Sequence, residues 1–275
     1  MSTHSSQARK LALAACLVVL TLTPACAARV QSGHYVKVNG IRMYYELHGK
    51  GAPLLLIHGG AGNGMQFSKQ LPAFSPHYCC IVPDCCAQGR TTDRPGPLTY
   101  HAMAEDMIAL LDHLHVQRAD IMGWSDGANI GLDMAMHHPD RVSHVVTFGA
   151  NFRPDGLNPQ DVAWNNSATA ESFGPGMREG WTKLNPQPAN FEQAMNKIIA
   201  MWRSLPNWSL ADLRSIRAKT LICAGEHDLI RPEHTANLAS SIPGADLWIV
   251  PNASHSAMIE RPEVVNPRVL EFLRR

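Results

Sequence analysis

The stretch Ala119-Asp120-Ile121-Met122-Gly123-Trp124-Ser125-Asp126-Gly127-Ala128-Asn129-Ile130 limits the possible folds of this chain more sharply than any other. Its first half, Ala119–Trp124, is a short apolar run with the length of a buried strand, and residues 127–138 place their apolar side chains at helical spacing. Between them lies a Gly-x-Ser-x-Gly junction, Gly123-Trp124-Ser125-Asp126-Gly127. A strand that becomes a helix over so few residues brings the backbone against itself. A side chain at Gly123 or Gly127 would then collide with a neighbouring strand or helix. The turn lifts the Ser125 hydroxyl above the sheet edge at a helix N-terminus, where negative charge is favoured. The motif alone is weakly specific; the strand before it and the helix after it point to a serine nucleophile.

A second glycine-rich turn complements the first. Residues 54–57 form a fully apolar strand that runs into His58-Gly59-Gly60-Ala61-Gly62-Asn63-Gly64. Four glycines in seven residues let the backbone fold tightly with its amides turned inward. After a central strand, such a loop suits an oxyanion hole, whose N–H donors must be in place before charge develops. Gly60 is the expected donor from this loop, with Ala61 in reserve, and the amide of Asp126 is the expected second donor. His58 reads as a structural histidine bonding to backbone. A phosphate loop is disfavoured because Gly-x-x-x-x-Gly-Lys-[Ser/Thr] is absent, and Gly60-x-Gly62-x-Gly64 has the wrong spacing for a dinucleotide. No cysteine spacing suits a metal site, and no cofactor is implied. The formal net charge of +1, with no Lys/Arg cluster beyond the N-terminal segment, does not indicate nucleic acid as a partner.

The N-terminal segment stands apart. Arg9-Lys10 precede the apolar run 11–22, and Pro24-Ala25-Cys26-Ala27-Ala28 follows it. These are the parts of a secretory signal peptide over residues 1–27, with cleavage expected after Ala27 and export of the mature chain. Lipidation at Cys26 is the alternative; the run is short for a membrane span. Export makes disulfides admissible. Cys79-Cys80 fall in an expected strand, 78–82, and Cys85-Cys86 in the loop after it, either bridged or as small buried fillers. Cys223 reads as a buried strand residue.

With 275 residues, 45% of them hydrophobic, the mature chain can bury one large core. Residues 35–38 and 41–47 alternate around Asn39-Gly40, a hairpin signal. Strands at 54–57, 78–82, 119–124, 142–148, 220–224 and 246–250 alternate with helices at 100–115, 127–138, 233–241 and 262–274. Thr99 is the expected N-cap of the first helix. That order argues for an α/β fold, a mostly parallel sheet with helices on both faces. The pattern breaks over residues 151–215, where Pro, Asn and Gly interrupt it and 191–202 is the clearest helix. Four of the six tryptophans lie there: Trp164, Trp181, Trp202 and Trp208. Such an insertion between sheet strands reads as a helical cap over the site, with core at 28–150 and 216–275. Ala61, Trp124, Trp181 and Trp202 are the expected pocket residues.

From about Tyr35 onward the chain resembles the α/β-hydrolase superfamily. The resemblance rests on His58-Gly59-Gly60 after a strand, Gly123-Trp124-Ser125-Asp126-Gly127, Gly225-x-x-Asp228 after a strand, and His255 in the penultimate loop. The order Ser, Asp, His is the one this fold uses. Within the superfamily the chain looks like small capped serine hydrolases of the valacyclovir-hydrolase type, which share Gly-Trp-Ser-Asp-Gly. It departs from them at Cys85-Cys86, where relatives usually carry a bulky residue and an Arg. The resemblance implies Ser125 as nucleophile, His255 as base, and Asp228 as the carboxylate that orients the base, with Glu226 and Asp246 as weaker candidates. The expected substrate is a small acyl compound, above all a carboxylic ester. A C–C bond hydrolase and a cofactor-free haloperoxidase or perhydrolase would use the same residues. A non-catalytic ligand-binding protein on this scaffold is the alternative of another class. Asp126 reads either as a helix-dipole carboxylate or as a pocket carboxylate for a cationic substrate.

Overall fold

The computed structural model describes residues 33–275, so residues 1–27, expected to be a signal segment, and Cys26 within them lie outside the described residues. In chain order the elements are β1 (His34–Val38), β2 (Ile41–His48), β3 (Ala52–Ile57), α1 (Leu71–Phe74), β4 (Tyr78–Pro83), α2 (Tyr100–His113), β5 (Ala119–Trp124), α3 (Asp126–His137) and β6 (Val142–Phe148). Then come α4 (Pro159–Ser167), α5 (Gly174–Leu184), α6 (Phe191–Ser204), α7 (Leu210–Leu213), β7 (Lys219–His227), α8 (Pro232–Ser241), β8 (Asp246–Ser254), α9 (Ala257–Glu260) and α10 (Pro262–Phe272). No helix among the described residues is long and apolar enough to cross a membrane.

All eight strands join one sheet in the order β1-β2-β4-β3-β5-β6-β7-β8. The β1–β2 hairpin turns on Asn39 and Gly40, both at positive φ (45° and 82°), as a tight two-residue connection demands. Strand β2 runs antiparallel to β4, and every pairing from β4 to β8 is parallel. Along β3, Leu54 and Leu56 belong to one buried cluster with Phe67, Phe74, Val265 and Val269. Leu55 and Ile57, on the other face, belong to a second cluster with Met107, Leu111 and Ile130. Because helices cover both faces, β3 reads as a continuous apolar run rather than an alternating one. Each of these side chains is fully buried, worth about 1.5–3 kcal/mol against exposure.

Two departures from the sequence reading shape the site. Strand β8 continues to Ser254 instead of stopping near Val250, and pairs Ser254 with His227 past a register shift. This extension sets Asp228 and His255 on neighbouring strand ends. The segment between β6 and β7 also holds more helix than its broken pattern suggested, since α4 and α5 accompany α6. Phe191, Met195, Ile198 and Ile199 mark the buried face of α6 at helical spacing. Polar ties lash the segment to the core: Asn185 Nδ2 donates to the carbonyls of Gly89 (2.9 Å) and Thr91 (3.1 Å). Lys197 Nζ donates to both carboxylate oxygens of Asp93 at 2.7 Å.

Cys80, Cys85, Cys86 and Cys223 are free, buried thiols, so no disulfide links the two vicinal pairs.

Candidate active site

Ser125 sits between β5 and α3 at φ 53° and ψ −118°, a conformation that costs about 1–3 kcal/mol for a residue with a side chain. The surroundings hold it there. Its amide donates to the Phe148 carbonyl of β6 at 2.7 Å. A Cβ on Gly123 would lie 2.2 Å from the Gly127 carbonyl oxygen, and one on Gly127 would lie 2.0 Å from that of Ile57. Both glycines are therefore close-approach points, as the junction implied.

His255 follows β8, and its Nδ1 lies 2.7 Å from Oδ1 of Asp228. Asp228 is itself held by the amides of Ile230 (3.1 Å to Oδ1) and Gly225 (3.2 Å to Oδ2). A carboxylate gripped in this way keeps the Nδ1 proton on the imidazole and leaves Nε2 as a base. The weaker candidates are engaged otherwise: Glu226 accepts from the Asn252 amide, and Asp246 pairs with Arg275. Trp124 Nε1 donates to the His255 carbonyl at 2.8 Å and anchors the loop. Gly149, at φ 65°, leaves room for the ring, since a Cβ there would lie 2.4 Å from His255 Cε1. Ser125 and His255 line one cavity.

Gly60 and Asp126 line the same cavity; their amides have no acceptor among the described residues, whereas the Gly59 amide is taken by Gln66 Oε1 at 3.0 Å. His58 stiffens the glycine loop, with Nδ1 donating to the Gly59 carbonyl (2.7 Å) and Nε2 accepting from the Cys85 amide (2.9 Å). Burial pushes its pKa down and favours the neutral ring that this pair of bonds requires. Asp84 braces the loop further by accepting from the Gly64 amide at 2.7 Å while paired with Arg90. Asp84, Gln66 and Arg90 carry no motif, and sequence reasoning missed them.

A family model described as "Alpha/beta hydrolase family" matches residues 54–268, well over half of the chain. The chain belongs to this family. The hydrolase is 27% identical over 258 residues to "Putative carbamate hydrolase RutD" of Caulobacter sp. strain K31, covering 84% of its own length and 95% of that protein. It is also 27% identical to "Putative non-heme bromoperoxidase BpoC" of Mycobacterium tuberculosis strain CDC 1551 / Oshkosh, over 84% and 97% of the two chains. Among solved structures, one titled "Est816 as an N-Acyl homoserine lactone degrading enzyme" superposes with a TM-score of 0.70 at 26% identity, over 87% and 100% of the chains.

The cavity of this hydrolase holds about 260 Å³ and is walled by Tyr100, Trp124, Leu157, Trp164, Trp202 and Ile230, among others. Two of the expected pocket residues lie elsewhere. Trp181 and Ala61 line a separate hollow with Phe173 and Met177, and the Trp181 ring packs edge-on against Phe191 at 5.6 Å. The helical phase of α5 turns Trp181 into the interior of the segment, and the path of the glycine loop turns Ala61 away from Ser125. Trp164, from α4, stands in the cavity wall instead, 6.4 Å ring to ring from Trp202. The Asp126 carboxylate is buried and receives bonds from Tyr100 Oη (2.9 Å) and from Trp202 Nε1 (2.9 Å to each oxygen). It thus ties α6 to the start of α3. Desolvation raises its pKa to about 6 against the pull of those two donors.

Proposed function

We propose that this hydrolase cleaves a small carboxylic ester or related acyl compound through an acyl-enzyme on Ser125. Ser125 Oγ attacks the acyl carbonyl while His255 Nε2 takes its proton, and Asp228 stabilises the imidazolium that forms. The oxyanion is received by the amides of Gly60 and Asp126. His255 then protonates the leaving alcohol, and a water activated by the same imidazole releases the acid and regenerates Ser125. One observation carries this reading. A strained serine, a histidine held by a carboxylate, and two backbone donors without acceptors converge on one cavity. The names of two relatives, a putative carbamate hydrolase and an N-acyl homoserine lactone degrading enzyme, point to compounds that carry acyl carbonyls, which supports the class.

Residues 151–215 serve in this proposal as the cover that excludes water, and the small apolar volume favours compact acyl or alcohol groups. Export, with cleavage after Ala27, belongs to the proposal too, on the strength of the N-terminal sequence. Fluorophosphonate labelling, followed by a panel of p-nitrophenyl esters of increasing chain length, tests the reading. Stoichiometric labelling at Ser125 with preference for short esters is expected. Absence of both labelling and ester turnover in the folded protein overturns it.

A further inference from the structure

Away from the cavity, three side chains converge that the proposed acyl chemistry does not use. His101 on α2 and Asp133 on α3 are 32 residues apart in sequence, yet His101 Nδ1 lies 2.9 Å from Asp133 Oδ1. One turn further along α3, His137 Nδ1 lies 3.1 Å from the same oxygen and 3.0 Å from the Asp133 carbonyl oxygen. One donor atom from each residue falls within 4.8 Å of the other two. The rings lie 4.6 Å apart and are about half exposed, whereas the carboxylate between them is 2% exposed. No Lys or Arg pairs with Asp133 among the described residues; its ion-pair partners are these two imidazoles.

We propose that His101, Asp133 and His137 form a binding site for a divalent transition-metal ion of the zinc type, clasping α2 to α3. Ligand bonds of about 2.0–2.2 Å at tetrahedral angles set donor atoms roughly 3.3 Å apart, so the observed nitrogen–oxygen separations need to open by only a few tenths of an ångström. Two imidazoles and a carboxylate are a borderline donor set suited to zinc, and the exposed side of the rings leaves a position for water. Asp133 and His137 stand at i and i+4 on one helical face, which holds two of the donors in register. Behind His101, Glu105 Oε1 lies 4.0 Å from Nε2 and is itself held by His138 Nε2 at 2.5 Å. Without metal the Asp133 carboxylate holds the proton on His101 Nδ1, and an ion that takes up the Nδ1 lone pair releases that proton. His101 follows Tyr100, the donor to Asp126, so the clasp also stiffens the helix that supports the cavity wall.

Calorimetric titration of the full chain with Zn²⁺ tests the site, with Co²⁺ as a spectroscopic probe. One equivalent per chain, a visible Co²⁺ absorption band of low coordination number, and a Tm raised by Zn²⁺ and restored by a chelator are expected. His101→Ala and His137→Ala should each weaken uptake at least tenfold and abolish the Tm response. The His101 side chain is half exposed, so its variant should keep the parent fold and Tm without metal even where Asp133→Asn does not fold. Failure of the parent to take up Zn²⁺, or equal uptake and Tm response in the His101→Ala/His137→Ala double variant, overturns the proposal.

Discussion

The strand ends and the segment 151–215 face each other across one cavity, but different forces hold them. Ser125, Asp228, His255 and the glycine loop are fixed by backbone hydrogen bonds and a short ion pair, and tight glycine contacts leave their backbone no other path. Trp164 and Trp202 are held by ring contacts with each other and with Phe173, and Trp202 also by its bond to the Asp126 carboxylate. Directional bonds to a rigid sheet preserve geometry to a fraction of an ångström, which acyl transfer needs. Apolar contacts tolerate exchange of one ring for another at modest cost. In the proposed chemistry, reactivity therefore belongs to the strand ends and selectivity to the segment above them.

The sharpest way to break that division is at the nucleophile. Ser125→Ala should lower kcat by about 10⁴-fold or more and abolish fluorophosphonate labelling, with an unchanged circular dichroism spectrum. Asp228→Asn should come close, with a loss of up to about 10⁴-fold in kcat and little change in KM, because the imidazole keeps its place but loses its proper tautomer. A large rise in KM for Asp228→Asn would mean that the strand ends also shape the pocket.

On the other side of the cavity the expected effects are smaller and of another kind. Trp181→Ala, which empties the interior of the segment, should cost about 3 kcal/mol in urea unfolding yet leave the ranking of esters by kcat/KM unchanged. Trp202→Phe keeps a ring but loses the donor to Asp126. It should change the preference between short and aromatic esters by about tenfold and leave the turnover of acetyl esters within a few-fold. If Trp181→Ala reorders the esters and Trp202→Phe does not, the assignment of wall and filler is reversed.

The most delicate test concerns pH. Asp126 holds its proton more tightly in the folded protein, with a pKa of about 6, than at the ordinary carboxylate value of 3.8. Between those values the folded state binds more protons than the unfolded chain, so this group makes stability fall as pH rises from about 4 to about 6. Most paired carboxylates act in the opposite direction. Asp126→Asn should remove that slope, read as the difference between parent and variant in Tm across the same pH range. An unchanged slope in the variant assigns it to another group, with Asp106 first in line, since burial raises its pKa to about 6 as well.

Much of this molecule is legible before any coordinates are considered. The hairpin at Asn39-Gly40, the Thr99 cap, which accepts from the Ala102 amide at 3.0 Å, and the buried run of β3 all follow from local rules, and local rules act within a few residues. The placement of Ser125, Asp228 and His255 together followed from their order and context, because in a parallel sheet the loops after the strands share one edge. The helices α4 and α5 were hidden by Pro, Asn and Gly, since their partners lie in the segment itself and intrinsic propensity is a weak guide there.

What the sequence determined by itself is the covalent and steric grammar of the site: where backbone must approach backbone, where φ must be positive, and in what order the reactive groups appear. Which tryptophan meets the cavity is another matter. Trp164 stands in the wall and Trp181 does not, because the phases of α4 and α5 are set by packing between helices distant in sequence. The same holds for Asp126, whose partners Tyr100 and Trp202 lie 26 and 76 residues away. Burial and long-range hydrogen bonding exist only once the chain has closed on itself, and those decisions belong to the tertiary structure.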